Sequence, residues 1–112
     1  MRVNSIRDLK DSTAKPVTSS FAKKTLLAAL EKLTVGRLIV NDNDQHYVFG
    51  ETAEAAQMTA RIDIHDAAVY QAVLQKGMVG CGEAYIRQFW STPDLLNVIR
   101  LMAINMTALQ LL

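Results

Sequence analysis

The chain has 112 residues, enough for one compact domain and too few for two domains with separate cores. Half of its residues are hydrophobic and 21% are charged, a composition that excludes an intrinsically disordered chain. Twelve basic residues against eleven acidic ones leave a formal net charge of +1, so no overall field favours nucleic acid, and we expect no nucleic-acid partner.

The first 20 residues are rich in Ser, Thr, Lys and Asp and show no hydrophobic period, which predicts a flexible tail over residues 1–20. Charges run through this stretch, so it does not have the apolar segment of a secretory signal. The single cysteine cannot form a disulfide within the chain. We therefore expect a cytoplasmic protein, either free or peripheral at the inner membrane, with one domain over residues 21–112.

The first half of this domain reads as a helix followed by strands. Ser19 or Ser20 can cap a helix whose leucines recur at helical spacing through residues 21–33. Two strands, over residues 35–40 and 45–50, are joined by the turn-rich sequence NDND. Residues 57–64 alternate strictly between apolar and polar side chains, which predicts a strand with one buried face.

The second half reads as helices. Asp66 can cap a helix that ends at Gly77, and three glycines over residues 77–82 predict a bend leading into a short helical run. A last helix is predicted to begin with Thr92 as its cap, Pro93 at the first helical position and Asp94 near the positive end of the helix dipole, and we expect it to continue to the end of the chain. The order of elements predicts an α+β fold in which helices cover one face of a small antiparallel sheet.

The last helix is more apolar than one side of a small domain requires. One stripe holds Leu95, Ile99, Met102, Met106 and Leu109, and an adjoining stripe holds Val98, Leu101, Ile104, Ala108 and Leu112. Arg100 near the middle argues against a bilayer span. The second stripe therefore predicts a partner, either a following domain or another copy of the chain.

Sequence motifs for catalysis are weak. Cys81 with His46 or His65 supplies the types of a thiol–imidazole pair, and Asp63 or Asp66 could add metal ligands, but no ligand spacing accompanies them. The Gly80–Glu83 sequence has only two glycines of a nucleotide-binding loop, so we interpret these glycines as allowing close backbone approach. We expect no catalytic residue, cofactor or metal ion in this chain.

Aromatic and flexible apolar residues near the end of the domain are candidates for lipid or interdomain contacts. Amphipathic aromatic side chains favour a membrane boundary, although the same side chains can fill the core of a small domain. Glu83 lies in the glycine-rich segment, where a carboxylate can fix a turn or reach another domain. The candidate contacts are Glu83, Tyr85, Phe89, Trp90, Met102 and Met106.

The run RIDIHDAAVYQAVLQKGMVGCGEAYIRQFWSTPDLLNVIRLMAIN resembles the region before the catalytic domain of cyclopropane-fatty-acyl-phospholipid synthases. The likeness covers roughly residues 21–105, including LTVGRLIV and YVFG, and the GEAY run up to Trp90 is its most specific part. The matching residues are Ile62, Ile64, His65, Asp66, Tyr70, Gly77, Gly80, Gly82, Glu83, Ala84, Tyr85, Trp90, Asp94 and Leu95. Ala67 departs from a proline of the pattern, and Arg87-Gln88 replaces a typical Asp-Gly, which bears on the shape of the bend.

The resemblance implies a fold like that of sterol-carrier or lipid-transfer domains. It implies a noncatalytic module that helps present phospholipid acyl chains to a methyltransferase domain, which would transfer methylene from S-adenosylmethionine and is expected beyond Leu112. S-adenosylmethionine, that domain, and a phospholipid or membrane surface are the implied cofactor and partners. The alternatives are a freestanding lipid-binding or homodimerisation domain and a small cysteine-dependent enzyme.

Overall fold

A computed structural model describes the backbone of residues 20–109 and the side chains of residues 20–107. The predicted tail lies outside these residues except for residue 20, which is already helical. Helix α1 covers residues 20–30, and β1 (Arg37–Asp42) and β2 (Gln45–Gly50) form the predicted hairpin. Strand β3 (Thr59–Ile64), helix α2 (Ala68–Ile86), strand β4 (Trp90–Ser91), helix α3 (Leu95–Ile104) and helix α4 (Met106–Leu109) follow.

The four strands form one sheet in the order β2-β1-β3-β4. Strand β1 pairs antiparallel with β2 and parallel with β3, and β3 pairs antiparallel with β4. The α+β class is confirmed, but the sheet is mixed rather than purely antiparallel. The difference arises because residues 51–58 carry the chain to the far side of β1 instead of leaving β3 beside β2.

One face of the sheet carries the core. The strict alternation of β3 is confirmed, because Ala60 is buried and Ile62 and Ile64 pack against the core, while Arg61 is exposed. Leu38 and Val40 of β1 extend the same buried face. The central core residues are Ala22, Leu26, Leu30, Leu33, Leu38, Val40, Phe49, Ala60, Val69, Tyr70, Val73, Ala84, Trp90, Val98, Leu101 and Met102.

Helix α2 consists of two helical halves that meet at Gly77, whose φ of 59° and ψ of −132° lie outside the helical region. This φ is one that residues with a Cβ rarely adopt, so glycine is required there. The predicted bend is thus confined to Gly77, because Gly80 and Gly82 continue the helix. Gly80 lies against the first half: a Cβ there would come 2.0 Å from the Ala72 carbonyl oxygen.

The beginning and the end of the last helix both differ from the prediction. Asp94, rather than Thr92, caps α3, because its carboxylate accepts the Asn97 N–H at 3.1 Å. The helix then stops at Asn105 instead of continuing. Asn105 is 2% exposed, and its amide oxygen accepts the N–H groups of Thr34 and Val35 at 3.0 and 3.1 Å. Its amide nitrogen donates to the carbonyls of Val35 and Leu101, so this side chain holds the end of α3 to the segment before β1.

The two predicted stripes of α3 were wrong in their membership. Val98, Leu101 and Met102 share the buried face, which takes residues from both stripes. The apolar surplus itself is present, but it lies on the outward-facing residues Leu96, Ile99 and Ile104. The prediction placed the stripes by assuming one uninterrupted helix, and the side chains of Ala108 to Leu112 lie outside the described residues.

Candidate functional site

The most specific part of the resemblance forms a sharp corner where α2 ends and β4 begins, which we call the α2–β4 corner and define as residues 83–91. Helix α2 ends in a Schellman motif: Phe89 N–H donates to the Ala84 carbonyl at 2.9 Å, and Gln88 N–H donates to the Tyr85 carbonyl at 3.0 Å. Gln88 occupies the left-handed position with φ of 66°. Glycine is the usual residue there, but Gln88 adopts the same conformation. The helix therefore keeps its left-handed final residue although Arg87-Gln88 replaces the typical Asp-Gly.

Trp90 anchors the corner in the core. Its indole Nε1–H donates to the Cys81 carbonyl at 2.9 Å, and the side chain is buried. The Tyr85 ring packs against the indole with a centroid separation of 4.9 Å and a tilt of 56°. The carbonyl of Phe89 accepts the N–H groups of His65 and Asp66, which joins the corner to the end of β3. These contacts give the corner a fixed shape.

Two large aliphatic side chains on the second half of α2 point into solvent. Ile86, the last helical residue, is 80% exposed, and Val79 is 65% exposed. Residues seven apart lie two turns apart on the same helix face, with Gly82 between them. We call Val79 and Ile86 the α2 ridge. Arg87, next to Ile86, is also exposed, so the exposed end of α2 combines an apolar side chain with a cation.

Two hydrogen-bonding side chains, His65 and Ser91, lie in the same groove as Ile86. An open groove at the corner is lined by His65, Tyr85, Ile86, Gln88, Trp90 and Ser91. In it, His65 Nε2 and Ser91 Oγ are 2.6 Å apart, within hydrogen-bond distance. Asp63 does not complete a catalytic triad with them, because its carboxylate oxygens accept from Asn41 at 3.0 Å and Arg61 at 3.2 Å. The groove therefore presents one aromatic and aliphatic side and one hydrogen-bonding side.

The structure pairs both histidines away from the cysteine, contrary to the thiol–imidazole hypothesis. His46 Nδ1 lies 2.6 Å from the Asn41 amide oxygen on the hairpin, and His65 faces Ser91. Cys81 is a free thiol whose burial raises its pKa to about 11. A nucleophilic cysteine needs the opposite shift, toward the thiolate. The geometry gives no support to a cysteine-dependent enzyme.

Cys81 instead lines an apolar cavity between the sheet and the helices, with a volume of about 60 Å³. Helix α1, the central strands, both halves of α2 and the last part of the domain all contribute to it. The lining residues are Leu26, Leu27, Leu30, Leu38, Val40, Ile62, Ile64, Val69, Tyr70, Val73, Met78, Cys81, Trp90 and Met102. The cavity is smaller than the roughly 150 Å³ that holds a benzene molecule in an apolar protein core.

A buried polar network that the sequence analysis missed fixes α1 to the hairpin. Asp42, which with Asn105 is buried among the polar residues of the described part of the chain, accepts the Tyr70 hydroxyl at 2.6 Å and the Lys23 ammonium at 2.9 Å. Lys23 also donates to Gln45 Oε1 at 2.8 Å and lies over the Tyr47 and Tyr70 rings. No local pattern signals this network, because its members come from α1, the hairpin and α2.

The network shifts the pKa of its members. Burial alone would raise the pKa of Asp42, but hydrogen bonds from Tyr70 and Lys23 and the charge of Lys23 outweigh it and hold that pKa below its usual value. Desolvation and the neighbouring carboxylate raise the pKa of Tyr70 far above its usual value. Desolvation works against the Lys23 ammonium, yet its bond with the Asp42 carboxylate and the nearby Tyr47 side chain raise its pKa. Asp42 and Lys23 are therefore an ion pair at neutral pH.

The predicted contact residues fall into three places rather than one surface. Tyr85 lies in the corner groove, and Trp90 lies between that groove and the cavity, which Met102 also lines. Glu83 is exposed and accepts from Lys76 at 3.2 Å, and it shares a second shallow groove with the half-buried Phe89. Met106 is half-buried at the start of α4. Their lipid or interdomain role stays a prediction. The α2 ridge, which the sequence analysis did not select, is more exposed than any of them, including Glu83, whose side chain is 51% exposed.

Among the described residues, no helix combines the length and the apolar character needed to cross a bilayer. Within the same part of the chain, no three His, Cys, Asp or Glu side chains come close enough together to hold a metal ion. Comparisons of the chain with protein-family models, with curated proteins and with solved structures found no match.

Proposed function

We propose that this chain is a noncatalytic lipid-substrate and interdomain module of a protein similar to cyclopropane-fatty-acyl-phospholipid synthases. In this proposal the methylene transfer from S-adenosylmethionine belongs to a separate methyltransferase domain. The chain itself binds the phospholipid surface through the α2–β4 corner and the α2 ridge. The resemblance suggests the class of protein, and the exposed side chains of the α2 ridge support its role as the contact surface.

The α2 ridge is the observation that carries the proposal. A single exposed aliphatic side chain is common on soluble proteins. Here two of them share one helix face, and the outer one projects beside an aromatic pair, a cation and the hydrogen-bonding groups of His65 and Ser91. An apolar tip with polar neighbours is the arrangement that inserts shallowly at a headgroup boundary. The ridge is therefore the part of the surface that best fits a phospholipid layer.

The fixed shape of the corner supports the same role. The Schellman motif, the indole hydrogen bond and the Phe89 carbonyl bonds hold Ile86 at the end of a short helical arm. A side chain held in position loses less conformational entropy on binding than one on a loose loop. The residues of the GEAY run up to Trp90 thus hold the exposed Ile86 side chain in position.

Vesicle flotation tests the proposal. The chain should float with vesicles of unsaturated phosphatidylethanolamine and phosphatidylglycerol, and Ile86→Asp should reduce the bound fraction about tenfold, because a carboxylate must then enter the apolar layer next to anionic lipid. The matched control is Val48→Asp, at an aliphatic residue that is 51% exposed on the opposite edge strand β2. No flotation of the wild type, or equal losses in both variants, would show the proposal to be wrong.

A second candidate function, a homodimerisation domain, is favoured by one specific observation. Leu96, Ile99 and Ile104 leave an apolar strip on the outward side of α3. In a two-fold dimer this strip would pack against its own copy. Light scattering coupled to size exclusion separates the two candidates: a dimer that Ile99→Asp converts to a monomer supports the second, and a monomer at all concentrations removes it.

A further inference from the structure

We infer that the apolar cavity beneath α1 is a binding site for a single unbranched hydrocarbon chain, entered between α1 and the second half of α2. The inference deepens the proposed lipid role and rests on it, because it names the place that would receive an acyl chain. It concerns the interior of the domain, whereas the proposed membrane contact concerns the α2–β4 corner.

The chemistry of the lining selects the ligand. Aliphatic and thioether side chains make up most of the wall. The polar atoms of its two aromatic residues are already bonded, since the Tyr70 hydroxyl donates to Asp42 and the Trp90 Nε1–H donates to the Cys81 carbonyl. A polar ligand would therefore lose its hydrogen bonds to water on entry and find few replacements. A hydrocarbon chain carries no such cost.

The burial of the lining residues indicates the entrance. Of the helical side chains in the wall, Leu26, Leu30 and those of the first half of α2 are buried, whereas Leu27, Met78 and Cys81 are only partly buried, as are Ile62 and Ile64 of the sheet. On its helical side, the cavity therefore comes nearest to solvent between Leu27 of α1 and Met78 of α2. Met78 directly follows Gly77, where the helical conformation of α2 is interrupted.

The cavity must widen to admit a chain, because its volume of about 60 Å³ is less than half of the roughly 150 Å³ that holds a benzene molecule. The wall contains groups suited to this. Met78 and Met102 have unbranched side chains that change rotamer at little cost and fill irregular spaces. On the entrance side, Leu27 belongs to α1 and lies one turn after Lys23, whose bonds to Asp42 and Gln45 hold that part of the helix to the hairpin. Outward movement of Leu27 and Met78 would open the cavity without breaking the sheet.

Methionine-methyl NMR gives a direct test, because the chain carries its own controls. Met78 and Met102 line the cavity, whereas Met58 and Met106 do not. Titration with sodium dodecanoate below its micelle threshold, without vesicles, should shift the Met78 and Met102 signals saturably and leave those of Met58 and Met106 in place. Butyrate, with the same carboxylate and almost no chain, should shift none of them.

Variants at the entrance separate binding in the cavity from binding elsewhere. Leu27→Phe should weaken dodecanoate binding about tenfold, because the larger ring fills the entrance. Met78→Phe is the second variant and should act in the same direction if Leu27→Phe does not fold. Leu74→Phe, at an exposed α2 residue outside the cavity, should leave the affinity unchanged.

The outcomes distinguish this inference from the proposed membrane role. Vesicle flotation without shifts of Met78 and Met102 would overturn the cavity site and leave the membrane role standing. Shifts of Met78 and Met102 without flotation would support the cavity site and remove the membrane contact of the corner. Equal shifts of the Met58, Met78, Met102 and Met106 signals, or an affinity that both entrance variants leave unchanged, would overturn the inference.

Discussion

Asp42 shows how one buried carboxylate couples three elements of this domain. It closes the β1 end of the hairpin, binds Lys23 of α1 and accepts the Tyr70 hydroxyl of α2. Removing its charge leaves Lys23 without its counter-ion and the Tyr70 hydroxyl with a weaker acceptor. Contacts among these residues could not be predicted from the sequence, because the residues lie far apart along the chain.

Acid should therefore weaken the domain through Asp42. Its folded-state pKa is lower than that of the unfolded chain, so its stabilisation is present above the ordinary aspartate pKa of about 3.9 and is lost as the pH falls through the lower folded value. We expect Asp42→Asn to lower the free energy of unfolding by about 1–3 kcal/mol at pH 7, and by less near pH 3.

Urea unfolding at both pH values measures this difference. Asp44→Asn, in the exposed turn two residues later, is the matched control and should change stability little at either pH. A deficit of Asp42→Asn that is the same at neutral and acid pH would rule out the stabilising role assigned to the carboxylate charge.

Gln88 has a left-handed backbone conformation that is unfavourable for a residue with a Cβ. Its φ of 66° disfavours any side chain with a Cβ by about 1 kcal/mol. Gln88→Gly should consequently raise the free energy of unfolding by up to about 1 kcal/mol. Arg87→Gly is the control, since Arg87 has an ordinary φ of −79° and should lose about 0.5–1 kcal/mol. Thermal unfolding measures the stability of both variants, and a loss of stability in Gln88→Gly would contradict the account.

At the scale of elements, helix α2 is held together by a close approach of its two halves. Gly80→Ala should lower the free energy of unfolding by about 2–3 kcal/mol, because the added Cβ meets the Ala72 carbonyl. Gly82→Ala should raise it by about 1 kcal/mol, because that Cβ meets nothing within 4 Å and alanine favours the helix. Chemical unfolding of this matched pair is the measurement. Equal effects at the two glycines would mean that the halves do not touch as described.

The elements themselves could largely be predicted from the sequence. The period of two over residues 57–64 identified β3, and the NDND turn identified the hairpin, because both signals are local. The continuous last helix was wrong because Asn105 stops it through bonds to Thr34 and Val35, which no local pattern reveals. The three glycines correctly marked a special backbone, but only Gly77 turns the chain while Gly80 serves packing.

For the whole molecule, sequence reasoning reached the α+β class but not the strand order. The alternating pattern of β3 suits a place beside β2 or beside β1 equally well, and only the second makes the pair parallel. The candidate contacts were the aromatic and methionine residues in or beside the apolar last helix, together with Glu83 of the glycine-rich segment. Trp90 and Met102 are instead core residues, and Ile86 projects from the corner that Trp90 anchors. Residue type alone could not show that Trp90 is buried and that Ile86 is exposed.

The central claim is that the α2–β4 corner faces phospholipid. An environment-sensitive fluorophore attached at Ile86→Cys, in a Cys81→Ala background, tests it directly when vesicles are added. The account predicts a blue-shifted and brighter emission at this residue and no change for the same label at Val48→Cys on the opposite edge strand. An unchanged emission at residue 86, or equal changes at residues 86 and 48, would contradict it.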